Sequence, residues 1–130
     1  MSERFNLEII SPEKTLIKSE VKEVIIPAFE GYMTILKDHI SLVTFLRPGF
    51  IEVETEKNKE NFYIEEGTVE FFKNNLLILS STIKNKKNFL VEEASKMLKE
   101  SQEKINNSKI KDKESYILSY KIEALKEIIH

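Results

Sequence analysis

The chain contains no cysteine, so disulfide frameworks, thiolate metal sites and cysteine nucleophiles are all excluded, as expected for a reducing compartment. It has two histidines, His39 and His130, too few and too far apart for an imidazole cluster to hold a metal on a sheet. Serines such as Ser41 and Ser80 have no base other than His39 to activate them, and His39 has no third partner. The three glycines, Gly31, Gly49 and Gly67, are isolated, which leaves no glycine-rich phosphate loop. Charge of one sign is also lacking. With 20 basic and 22 acidic residues the net charge is -2, and no basic field for nucleic acid exists. The carboxylate pairs Glu65–Glu66 and Glu92–Glu93 are adjacent in sequence, so their side chains diverge and do not form an acid/base pair. No apolar run approaches the roughly 20 residues of a membrane span. The start, MSERFNLEII, has neither the h-region of a signal peptide nor the Arg-rich character of a transit peptide. The expectation is a soluble, unprocessed, non-enzymatic chain without catalytic, metal or cofactor-binding residues, linked to any membrane through a partner.

What is present is a change of period. At 130 residues the chain can bury one core with a smaller appendage. From Phe5 to about Thr82 the apolar residues alternate: Phe5, Leu7 and Ile9, then Ile51 and Val53, Phe62 and Ile64, Val69 and Phe71. Turn signals separate them at Ser11-Pro12-Glu13, Glu30-Gly31, Pro48-Gly49, Lys57-Asn58-Lys59, Glu66-Gly67 and Lys73-Asn74-Asn75. Short strands at this spacing predict an antiparallel β-sandwich or flattened barrel.

After the charged break KNKKN, Leu90, Ala94, Met97, Leu98 and Ile105 recur at helical spacing and predict an amphipathic helix over 89–106. A second helix follows the polar stretch NNSKIKDKES, with Ile117, Tyr120, Ala124 and Ile128 beside Leu118, Ile122, Leu125 and Ile129, and with Asp112 or Ser115 as its cap. The short connection makes the pair an antiparallel hairpin. The fold class is α+β, a sandwich over 1–84 and a two-helix hairpin over 85–130. Two short helices cannot bury so broad an apolar face alone. Either the hairpin docks on the sandwich, or it is a detachable element for a partner helix.

Turn residues are concentrated in PAFEGYMTILKDHISLVTFLRPGFIEV, residues 27 to 53. Pro27 is expected to end the strand Val24-Ile25-Ile26, Glu30-Gly31 to turn the chain, and Pro48-Gly49 to open the next strand. Between these brackets a loop should expose Glu30, Tyr32, Lys37, Asp38 and His39 while burying Ile35, Leu36, Leu42, Val43 and Leu46. A loop fixed at both ends on a rigid sheet is a natural binding surface. His39 reads either as a turn-stabilising residue or as a contact at the loop tip.

The stretches SPEKTLIKSEVKEVIIPAFEG, DHISLVTFLRPGFIEV and FYIEEGTVEF together resemble the epsilon subunit of F-type ATP synthases, called delta in mitochondria. That family reads S-P-E, then P-x-x-E-G, G-H-x-P-L-L-T-x-L-x-P-G and V-S-G-G-x-x-E-V, in the same order. The resemblance implies a non-catalytic central-stalk subunit. Its sandwich binds the gamma subunit and rests on the c-ring, passing ring rotation to the catalytic head. It implies Glu30, Gly31, Tyr32, Asp38, His39 and Leu42 as ring or gamma contacts, and a location on the cytoplasmic face of a bacterial membrane rather than a plastid thylakoid. It further implies that the hairpin can extend along gamma and brake ATP hydrolysis by touching the alpha and beta subunits. Lys96, Lys99, Lys104, Lys121 and Lys126 are the candidates for that contact, against the plainer reading of a solvated face with pairs such as Glu92 and Lys96.

The match has departures. Tyr32 and Thr34 stand where the family has an acid and a glycine, Lys37-Asp38 replaces Pro-Gly, and Glu66 replaces the first glycine of the Gly-Gly pair. Members that bind ATP carry an I-D-x-x-R-A signature at the first helix. Here FLVEEA places Leu90 at the acid and Glu93 at the arginine, and a carboxylate at that position repels a phosphate. No cofactor is therefore expected. The alternative from another class is a stand-alone sandwich enzyme or ligand-binding module whose hairpin serves dimerisation.

Overall fold

In the computed structural model residues 3–107 and 109–130 are described. Met1 and Ser2, part of the start read above for a leader, and Ser108 in the polar stretch lie outside them. The strands are β1 (Phe5–Ile10), β2 (Thr15–Val21), β3 (Glu23–Ala28), β4 (Gly31–Ile35), β5 (Leu42–Leu46), β6 (Gly49–Glu54), β7 (Lys59–Ile64), β8 (Gly67–Phe72), β9 (Asn75–Leu79) and the two-residue β10 (Lys84–Asn85). They form two curled layers, β4-β3-β6-β7-β10 and β5-β8-β9-β1-β2, joined where Ala28 of β3 pairs with Leu46 of β5. The sandwich expected from the alternation is the observed one. Phe5, Leu7, Ile9, Ile26, Ile35, Ile51, Ile64, Phe71 and Ile78 fill the space between the layers, and each sits at alternate positions of its strand, as the two-residue period requires.

Within the sandwich, three details differ from the sequence reading. The ladder of β1 with β9 is parallel; these strands are far apart in the chain, so the long connection that a parallel pair needs is available. Pro27 does not end a strand but lies inside β3. That strand pairs with β6 as far as Ile25 and with β5 at Ala28, so Pro27 falls in a gap where its missing N–H leaves no ladder bond unmade. The stretch 27–53 is accordingly four strands with tight turns, not one loop. Finally, Leu36 and Val43, expected to be buried, are 50% and 75% exposed. Leu36 lies just past the end of β4, and on β5 it is Leu42, Thr44 and Leu46 that face inward while Val43 and Phe45 face out.

A 3-10 turn over Lys86–Asn88, capped by the Asn85 side chain on the Lys87 N–H, leads into α1 (Val91–Ile105) and then α2 (Asp112–Ile129). The expected boundary between 84 and 85 falls inside β10. Leu90 is not on the packed face of α1; it precedes the helix and is 66% exposed, while Phe89 is the buried residue at that junction. Neither Asp112 nor Ser115 caps α2, which begins after Lys111 without a side-chain cap bond. Asp112 and Glu114 instead lie in the first turn, where negative charge opposes the helix dipole. Among the described residues no ion pair joins Glu92 to Lys96; the neighbouring Glu93 reaches Lys84 of β10.

Gly67 opens β8 close against the backbone of β9. A Cβ there would stand 2.6 Å from the carbonyl oxygen of Leu79 on β9, and a ladder backbone cannot yield as a side chain can. Gly67→Ala should therefore lower the unfolding free energy by about 1–3 kcal/mol in urea titration. An unchanged midpoint would show that β9 yields to the added methyl.

Candidate functional site

The two layers have unequal outer faces. On β4-β3-β6-β7-β10 the hairpin covers the sheet. Phe50 of β6 and Tyr63 of β7 point out of the sandwich core and meet Phe89, Ala94, Met97, Leu98, Ala124 and Leu125. Tyr63 is fully buried there, with its ring 4.9 Å from that of Phe89, and its hydroxyl donates to Glu65 Oε2 at 2.9 Å. Lys121 of α2 lies 3.3 Å from the other oxygen of Glu65. Burial pushes the Tyr63 hydroxyl far above the ordinary tyrosine range, and the charge of Glu65 and its hydrogen bond add to the shift. At the other side of α2, Tyr116 donates to the Phe29 carbonyl at 2.8 Å, and the Arg47 guanidinium stacks on Tyr120.

Among the described residues the helices pack with Phe50 and Tyr63 of the first layer, and the opposite layer, β5-β8-β9-β1-β2, is left uncovered by them. Register places Phe45, Thr68, Leu79 and Ile10 in one cross-strand row and Val43, Glu70, Leu77 and Glu8 in the next. Val43, Phe45 and Leu79 are 75%, 60% and 42% exposed. An apolar stripe of this kind on the flat face of a sheet marks an interaction surface.

The six candidates in the turn-rich stretch do not form one surface. Glu30 sits in the β3–β4 turn and Gly31 opens β4, at the end of the sandwich that also carries the turns at 11–14, 47–48 and 65–66. Asp38 and His39 sit at the other end of β4, about 15 Å away along a five-residue strand. There the Asp38 N–H donates to Asn74 Oδ1 at 2.7 Å and Asn74 Nδ2 donates back to Asp38 Oδ1 at 2.9 Å, locking the β4–β5 turn to the β8–β9 turn. His39, half-buried, turns its Nδ1 to the Ile40 carbonyl and its ring to the edge of Phe71. Leu42 is half-buried beside Val43. Tyr32 faces the hairpin, where its hydroxyl accepts from the Phe50 N–H at 3.2 Å and its ring lies 5.1 Å from the guanidinium of Arg47.

Of the lysines, Lys96, Lys99, Lys104 and Lys126 are exposed on the docked hairpin and Lys121 is tied to Glu65. Among the described residues no cluster of three or more His, Asp or Glu could hold a metal, and no helix is long and apolar enough to cross a membrane. Sequence reasoning missed Arg47, Tyr63, Phe45 and Asn74. The signal for Arg47 was its rarity, since the chain has only two arginines and this one adjoins Pro48-Gly49.

Residues 4–86 match the sequence model of the family described as "ATP synthase, Delta/Epsilon chain, beta-sandwich domain". The chain belongs to that family. It is 52% identical over 84 residues to the ATP synthase epsilon chain of Pelagibacter ubique strain HTCC1062, a stretch covering 64% of this chain and 65% of that one. It is 35% identical over 83 residues to that of Rhizobium meliloti strain 1021, covering 63% of this chain and 62% of the other. The matched part thus spans just under two thirds of these relatives. Its fold is similar over the whole chain to a chain in the Euglena gracilis mitochondrial ATP synthase, with a TM-score of 0.81, 21% identity and 84% of that chain covered. A chain in the central stalk and c-ring structure of the Tetrahymena thermophila enzyme gives 0.65 with 11% identity, over 99% of this chain and 98% of that one. The two helices lie outside the residues that the family model matches and inside the fold matches. The stand-alone module of the alternative reading finds no support, and the hairpin's apolar face is spent on its own sheet rather than left for a dimer partner.

The Tyr63 hydroxyl fixes a pH dependence. Its folded-state pKa is raised, so above about pH 10 the unfolded chain releases a proton that the folded chain keeps. Stability is complete below that pH and falls above it, by about 1.4 kcal/mol per pH unit for one group. Unfolding free energies of wild type and Tyr63→Phe should converge as the pH rises from about 9 to about 11; parallel curves would mean that Tyr63 titrates normally.

Proposed function

We propose that the chain is the non-catalytic epsilon subunit of an F-type ATP synthase, a central-stalk element that carries rotation between the c-ring and the catalytic head through gamma. Family membership supports this, and the observation that carries it is the division of the two sheet faces. One is covered by the chain's own hairpin, and the other offers Val43, Phe45 and Leu79 to solvent. A subunit that is held on a partner needs one such open face.

The candidates divide accordingly. Leu42 faces the sandwich core and supports from beneath the stripe of Val43 and Phe45, which belongs with the gamma contact, and Asp38 and His39 shape its end. Glu30 and Gly31, at the polar end that also carries Pro12, Glu13, Glu66 and Ser81, suit the polar loops of a c-ring. Tyr32 serves the hairpin. Lys96, Lys99, Lys104 and Lys126, exposed on the hairpin, would meet acidic surfaces of the alpha and beta subunits when the hairpin leaves the sheet and brakes hydrolysis. The sandwich is the docking unit and the hairpin the regulatory one. The location that follows is peripheral, on the cytoplasmic face of a bacterial membrane.

The test is reconstitution with the purified catalytic head and gamma. Val43→Asp with Phe45→Asp should weaken co-elution by at least about a hundredfold, since each ring or branch is worth roughly 1.5–3 kcal/mol when desolvated, while the melting temperature stays within a few degrees. Wild-type affinity in the double variant would remove the open face from the interface. A chain ending at Asn88, which keeps β10, should bind but fail to slow hydrolysis if the hairpin is the brake; equal hydrolysis with the full chain leaves a coupling role alone.

A further inference from the structure

We infer that Arg47 is a positioning residue whose guanidinium, clamped between Tyr32 of the sandwich and Tyr120 of α2, holds the hairpin down and sets where along the sheet α2 sits. Arg47 is only 6% exposed. Among the described residues no carboxylate lies within ion-pair distance of it. Its Nη1 donates to the Pro48 carbonyl at 2.9 Å, and its Nε has no hydrogen-bond partner.

A buried cation normally demands a carboxylate. Here the compensation is aromatic: the guanidinium carbon lies 3.7 Å from the centre of the Tyr120 ring and 5.1 Å from that of Tyr32. Such contacts strengthen when water is excluded, and a planar, weakly hydrated guanidinium is the cation best suited to them. The backbone on either side is fixed. The Arg47 N–H donates to the Pro27 carbonyl, and the Tyr32 hydroxyl receives the Phe50 N–H; with Nη1 on the Pro48 carbonyl, the guanidinium is held on the sandwich side and would give up that bond to follow α2.

Register follows from this. A slip of α2 by one turn, about 5.4 Å, would bring Tyr116 or Ala124 over Arg47. Tyr116 is committed to the Phe29 carbonyl and packs against the Tyr120 ring at 4.9 Å, and Ala124 offers no π face. One position of α2 satisfies the cation and the Tyr116 hydroxyl together. The inference concerns the free chain, so it stands or falls separately from any contact with a catalytic head.

The test is amide hydrogen exchange on the full chain. Tyr120→Phe keeps the ring and should match wild type. Tyr120→Leu and Arg47→Met should each speed exchange of the α2 amides about tenfold, the loss of one desolvated cation–π contact, with β1, β8 and β9 unchanged. Arg47→Lys, which keeps the charge but not the stacking plane, should behave as Arg47→Met. The double variant should be no faster than the faster single. Unchanged or slower α2 exchange, equal acceleration in β1, β8 and β9, or multiplying effects in the double variant would each overturn the clamp. Should the Arg47 variants fail to fold, the comparison of Tyr120→Leu with Tyr120→Phe decides, because Tyr120 lies on the hairpin and not in the sandwich core.

Discussion

The burial of Tyr63 on the outer face of β7 is the contact from which the rest of this molecule is arranged. A strand in a two-layer sandwich ordinarily buries one face and wets the other. The last three residues of β7, Phe62, Tyr63 and Ile64, are all buried, because Phe62 and Ile64 enter the core between the sheets while Tyr63 enters a second, separate core under the hairpin. A tyrosine suits that place because its ring supplies apolar area while its hydroxyl reaches Glu65 at the rim, and Glu65 in turn holds Lys121. The same side chain therefore closes one sheet face, anchors α2 and leaves no buried hydroxyl without a partner.

Once that face is closed within the chain, the opposite sheet is the one left open. Its outward rows carry Glu8 and Glu70, yet apolar side chains stand among them. Val43, Phe45 and Leu79 stand where polar residues would cost nothing, and exposed apolar rows on a flat sheet invite association. The strands there are short, and their ends are tied by the reciprocal Asp38–Asn74 bonds. The surface is thus rigid before any partner arrives, and association would pay little ordering entropy.

Much of this could be read from the residues, and the failures have physical reasons. Strand positions followed from alternation because the sandwich core is apolar and one-sided along most strands. The hairpin followed from the switch to a helical period after Ile83. Pro27 misled because its effect depends on which neighbour its strand has at that point, a tertiary fact. Val43 misled because in the run ISLVTFL the polar Thr44 falls on the inward side of the strand while the apolar Val43 and Phe45 point out. An outward strand face made of apolar residues looks like core in sequence. The split of Glu30 from Asp38 was hidden by their nearness in the chain, since eight residues suffice to cross the sandwich from end to end. Arg47 and Tyr120, 73 positions apart, meet only after both units have folded.

The hairpin contact also shows which of its many charges matter. Lys84–Glu93 and Lys86–Glu127 sit at the exposed rim, where such pairs contribute roughly 0–1 kcal/mol and weaken with salt. The side chains of the second core, Tyr63, Phe89 and Leu125 above all, are each worth about 1.5–3 kcal/mol by burial. That sum holds the helices to the sheet but is indifferent to direction, because apolar surfaces tolerate sliding. Direction has to come from groups with geometry, and at this interface those are the stacked Arg47, the Tyr116 hydroxyl on the Phe29 carbonyl, and Lys121 on Glu65. All three engage α2, while α1 contributes apolar side chains to the second core and the rim pair of Glu93 with Lys84. The second helix is therefore the one whose place on the sheet is set by directional contacts.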